Sequence, residues 1–80
     1  MEVVNYLGDI MTLRKKGFVV SDKDPFSESS LQKGIGKGLF ILVNEKNEVR
    51  MEINGLIFPG VDYIKPSFDK MGLKYEVVDI

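Results

Sequence analysis

Apolar side chains recur along the first segment at Val3, Leu7, Ile10 and Met11, with Asn5, Gly8, Asp9 and Thr12 between them, and this spacing predicts an amphipathic helix. Glu2 near its start, Arg14, Lys15 and Lys16 at its end and Gly17 just beyond suit the helix dipole and a left-handed cap. Phe18, Val19 and Val20 read as a short strand, stopped by Ser21-Asp22-Lys23-Asp24-Pro25. Ser27 is the expected N-cap of a second, short helix over Glu28–Lys33, with Phe26 and Leu31 forming a hydrophobic staple.

Leu39-Phe40-Ile41-Leu42-Val43 is apolar on both faces, the pattern of a central strand. Asn44 to Glu48 is polar and turn-like, and Val49, Met51 and Ile53 then alternate with Arg50, Glu52 and Asn54, as in a strand with one wet face. Asn54-Gly55 is a two-residue hairpin signal that returns Leu56, Ile57 and Phe58 onto Met51 to Ile53. Val61, Ile64, Phe68 and Met71 fall at helical spacing, but Pro66 lacks an amide donor and biases Lys65 away from helical angles, which predicts a broken helix. Gly72 closes it, and Leu73 to Ile80 supplies a last strand.

These elements predict one α+β domain over residues 1–80, in the order α-β-short α-β-β-β-α-β. The expected architecture is a mostly antiparallel sheet of about four to five strands with two main helices on one face. Zero Ala against sixteen Val plus Ile agrees with a core dominated by sheet. Helix-Gly-strand occurs twice, around Gly17 and around Gly72, as two uses of one cap rather than as a repeat. The longest apolar run, Leu39–Val43, is far short of the roughly 20 residues of a membrane span. Glu2 stands where a signal peptide carries Lys or Arg, so a cytoplasmic location without membrane contact is expected.

Composition narrows the chemistry. The chain has no Cys and no His, which removes thiol nucleophiles, thiolate metal sites and imidazole acid–base catalysis. No cofactor or metal is expected: Asp22, Asp24 and Glu28 do not have the spacing of a calcium loop, and Ser27, Ser29 and Ser30 have no His partner. Eleven Lys plus Arg against twelve Asp plus Glu give a net charge of −1, so the whole surface is not that of a nucleic-acid binder.

Local patterns carry two candidate sites. The face of the sheet away from the helices must be wet, covered or used, and Arg50, Glu52, Ile57, Tyr75 and either Val77 or Val78 are its expected residues, with tyrosine suited to contact surfaces. Lys33-Gly34-Ile35-Gly36-Lys37-Gly38 forms a basic Gly-rich loop that Arg14, Lys15 and Lys16 join if the first helix ends nearby, and such a patch suits phosphate. Gly34-Ile35-Gly36 after Leu31 also resembles the hairpin of helix-hairpin-helix DNA-binding modules, in which a Gly-hydrophobic-Gly turn joins two helices. The likeness is confined to residues 31–36, implies DNA contact there, and departs from the family pattern at the strand that follows.

The leading expectation is therefore a small non-enzymatic binding or regulatory protein that acts on a protein partner, with a homodimer as one form of that partner. The richness in Lys, Asn, Ile and Glu fits an inhibitor encoded by an AT-rich bacterium or its phage. The alternative is a nucleic-acid or nucleotide-phosphate binder using Arg14, Lys15, Lys16, Lys33 and Lys37.

Overall fold

A computed structural model of the chain describes residues 1–21 and 30–80. Among them, seven strands and two helices follow one another: β1 (Glu2–Tyr6), α1 (Ile10–Lys15), β2 (Val19–Val20), β3 (Leu31–Gly36), β4 (Leu39–Val43), β5 (Glu48–Ile53), β6 (Leu56–Phe58), α2 (Val61–Met71) and β7 (Tyr75–Asp79). All pairings are antiparallel, in the spatial order β2-β3-β4-β5-β1-β7. β6 also lies on β5, pairing Met51 with Phe58 and Ile53 with Leu56, while β1 pairs with the other end of β5 at Val49 and Glu48. The α+β class, the central position of β4 and the Asn54-Gly55 hairpin all hold, with φ of 49° and 86° at the two turn residues.

The sheet is larger than the four to five strands expected, because two segments read as helix are strands. Residues 2–6 insert between β5 and β7, so that Val4 and Tyr6 are buried on one face and Val3 on the other. Tertiary pairing on both edges outweighs the helical spacing of Val3, Leu7, Ile10 and Met11, the last three of which are exposed. Helix α1 begins only at Ile10, where the Asp9 carboxylate caps it by accepting from the Thr12 amide at 2.8 Å and the Thr12 hydroxyl at 2.7 Å. Those bonds to the ionised form hold the Asp9 carboxyl below its ordinary value. The second correction concerns the short helix over Glu28–Lys33: residues 22–29 lie outside the described residues, and Leu31–Lys33 belong to β3. Here Leu31, Lys33 and Ile35 alternate with Gln32, Gly34 and Gly36, a period of two that the glycines disguise.

The two helix ends do match. Phe18 donates to the Leu13 carbonyl and Leu73 to the Phe68 carbonyl, with Gly17 and Gly72 at φ of 95° and 71°. Both are Schellman closures that turn each helix toward its following strand. Pro66, by contrast, does not break α2, which runs unbroken over Val61–Met71. The missing amide would have met the Asp62 carbonyl, and both residues are on the exposed side of the helix, where the lost bond leaves no polar group buried. Opposite them, Ile64 and Phe68 are fully buried and hold the helix to the sheet. No helix among the described residues is long and apolar enough to cross a membrane.

The core occupies the helix-bearing face. Val4 and Tyr6 from β1, Leu31 from β3, Ile41 and Val43 from β4, and Val49 and Met51 from β5 pack with Leu13, Phe18, Ile64, Phe68 and Leu73. Phe68 is its aromatic centre, edge-on to Tyr6 at 6.1 Å, Phe18 at 6.4 Å and Tyr75 at 5.8 Å.

Tyr6 gives the fold a pH dependence. Burial first, and the nearby Asp9 carboxylate second, push its phenol above the ordinary value of 10.0. The folded chain thus holds this proton more tightly than the unfolded chain. The stabilisation is whole below the unfolded phenol value and is lost as pH rises through the folded one. Unfolding free energy is expected to stay level from neutral pH to about pH 9 and to fall above about pH 10. In Tyr6→Phe, followed by urea denaturation at each pH, that fall should shrink to the part contributed by Tyr75, whose phenol is also raised. An unchanged alkaline slope would remove Tyr6 from this role.

Candidate functional site

The strand alternation brings part of the expected sheet-face set together. Arg50 and Glu52 project from β5 on the side away from the core, with Ile57 directly across from Glu52 on β6. All three are half-buried, and the Arg50 guanidinium donates to the Val49 carbonyl at 2.9 Å. This side of the sheet is not a bare wet surface, since Leu42 and Val3 on it are 0% and 2% exposed. Tyr75 must be moved to the other face. It pairs with Tyr6, packs its ring on Phe68 and donates its hydroxyl to Asp69 Oδ1 at 2.9 Å, so it closes the rim of the core. Val77 accompanies it there, which leaves Val78 on the Arg50 side.

The basic set divides differently from the expectation. The run 33–38 is mostly strand: Lys33 pairs with Ile41 and Gly34 with Phe40, with an irregularity before Gly36, and only Lys37 and Gly38 form the turn. The amides of that strand that face β4 serve the β3–β4 ladder. The helix-hairpin-helix likeness fails for the same reason, since strands flank the Gly-Ile-Gly segment on both sides in the described residues. Lys33 instead reaches across to the end of α1, where a Cβ added to Gly17 would lie 2.8 Å from its Nζ. Lys16, Lys33 and Lys70 line a groove of about 450 Å³, together with Ser67, Gly34, Ile35 and Met71. Arg14, Lys15 and Lys37 do not line it, and all three are exposed. Lys70 was missed by sequence reasoning, although Ser67 and Lys70 at i and i+3 share one face of α2 and could have signalled it.

A third surface was also missed. Leu39, Ile53 and Leu56 form a cross-strand row at the far end of the core face, with Ile53 36% and Leu56 70% exposed. Beside them Phe58 meets Tyr63 of α2 edge-on at 6.0 Å, and Tyr63 is 51% exposed. The sequence signal was the Asn54-Gly55 turn itself. A two-residue turn sets Ile53 and Leu56 opposite each other at a hairpin tip, where polar residues are the usual choice. Leu7, Ile10 and Met11 are a second exposed apolar group, split between α1 and the loop before it.

Among the described residues, no group of three or more carboxylates stands close enough to hold a metal ion. Asp22, Asp24 and Glu28 lie outside those residues. No family model, no curated protein and no solved structure matches the chain.

Proposed function

We propose that the chain is a small non-enzymatic binding protein of the cytoplasm that docks a protein partner through the tip of the β5–β6 hairpin. The observation that carries this reading is the row Leu39–Ile53–Leu56 with Tyr63 beside it, an apolar surface that α2 leaves uncovered. Isolated exposed apolar side chains are ordinary, but a contiguous group with an aromatic anchor is the composition of a contact surface. Asp62 at the start of α2 and Lys37 in the turn before Leu39 place charges of both signs near this surface.

The test compares Leu56→Lys with Met11→Lys, which places the same charge in a separate exposed apolar group. Both positions are exposed, so both variants should melt like the unaltered chain within about 0.5 kcal/mol. Leu56→Lys should weaken retention of the partner by roughly tenfold or more, as loss of a central apolar anchor does, while Met11→Lys should retain it. Equal retention by the two variants would remove the hairpin tip as the docking surface.

A separate observation favours a second reading, phosphate recognition by part of the basic set. It is that Lys16 and Lys33, distant in sequence, meet at one groove with Lys70.

A further inference from the structure

We infer that the groove between α1, β3 and α2 is a binding site for a phosphomonoester dianion whose organic part lies against Ile35 and Met71. The inference deepens the phosphate reading and rests on it.

Charge balance comes first. Lys16 is the C-cap of α1, Lys70 lies in the last turn of α2, and Lys33 rises from β3 between them. The two helix ends account for part of this charge, since each C-terminus carries the equivalent of at most about −0.5. Three ammonium groups against two such ends leave about two positive charges uncompensated. No carboxylate lines the groove among the described residues. Asp69, beside Lys70 in sequence, does not line it and accepts from the Tyr75 hydroxyl instead. Two excess positive charges match a phosphomonoester, which carries about −1.5 to −2 at neutral pH, better than a phosphodiester with its single charge.

Shape and lining agree with a small ligand. A volume of about 450 Å³ lies within the range of small-molecule sites, and residues of α2, β3 and the end of α1 line it. Ser67 adds a hydroxyl able to donate to a phosphate oxygen, and Ile35 and Met71 add an apolar wall.

The test is a nitrogen-15 amide titration of the full chain at pH 7.5 with phenyl phosphate, diphenyl phosphate and a short single-stranded oligonucleotide. Phenyl phosphate should shift Gly34, Ile35, Lys70 and Met71 in a saturable way, and diphenyl phosphate should bind at least severalfold more weakly despite its greater apolar area. Lys70→Gln should weaken phenyl phosphate by roughly fivefold, whereas Lys37→Gln, outside the groove, should leave it unchanged. Diphenyl phosphate binding as well as phenyl phosphate would overturn the dianion assignment. Groove shifts with the oligonucleotide and none with phenyl phosphate would overturn the monoester proposal while leaving phosphate recognition standing. No groove shift with any of the three would overturn both.

Discussion

Leu42→Asp should abolish cooperative folding. Leu42 is 0% exposed on β4, a strand with neighbours on both edges, and it faces Gln32 on one side and Arg50 on the other. Removing the isobutyl group alone costs about 2–5 kcal/mol, and enclosing a carboxylate in its place costs several more. The cross-strand guanidinium offsets only part of this, because it already donates to the Val49 carbonyl. A domain of 80 residues has a total stability of roughly 4–12 kcal/mol, so the expected loss takes most or all of it. Far-ultraviolet circular dichroism during a urea titration should show no sigmoidal transition. A cooperative transition within about 1 kcal/mol of the unaltered chain would mean that β4 is not the centre of the sheet.

Phe68→Ala is the second large effect, for a different reason. Its ring holds together elements far apart in sequence: Tyr6 from β1, Phe18 after α1, and Tyr75 from β7 all meet it edge-on. Truncation leaves a cavity and dissolves these pairings, for an expected loss of about 3–5 kcal/mol by denaturant unfolding. Phe58→Ala, at a half-buried position with an edge-on contact to exposed Tyr63, should cost clearly less. A Phe68→Ala loss no greater than that of Phe58→Ala would show that α2 is not held to the sheet through this ring.

The parts of this fold legible in the sequence are those fixed by local chemistry. The Asn54-Gly55 turn, the Gly17 and Gly72 closures and the doubly apolar run Leu39–Val43 each follow from a backbone or solvation preference acting over a few residues. The errors fall where distant pairing decides. Val3 starts a helical spacing on paper with Leu7, Ile10 and Met11, yet strands contributed by residues 48–53 and 75–79 claim the segment 2–6 from both sides. Lys33 to Gly36 looked like a loop because glycine and lysine are rare in strand interiors, but β4 pairs with Lys33, Gly34 and Gly36 around one irregularity. Pro66 looked like a break because the cost of a lost amide can be reckoned locally, while the burial of Ile64 and Phe68 that outweighs it cannot.

The candidate sites divide in the same way. Arg50, Glu52 and Ile57 share a face because strand alternation and a two-residue turn require it. Tyr75 was misplaced because the face of a terminal strand depends on its register with β1, which pairs Tyr75 with Tyr6. Lys16 and Lys33 were expected to meet only if α1 ended near the Gly-rich segment, and that condition is set by α1 packing, not by spacing. Lys70 belongs to a third element and could join them only in the folded chain.

The claim that the β5–β6 tip is where this protein meets its partner is best tested by placing a photoreactive benzoylphenylalanine at position 56 and irradiating the protein in its own cells. The same residue at position 65, exposed on α2, serves as the reference. Position 56 should give a discrete adduct with one protein, and position 65 should not. The same adduct in equal yield from both positions, or none from position 56, would contradict the claim.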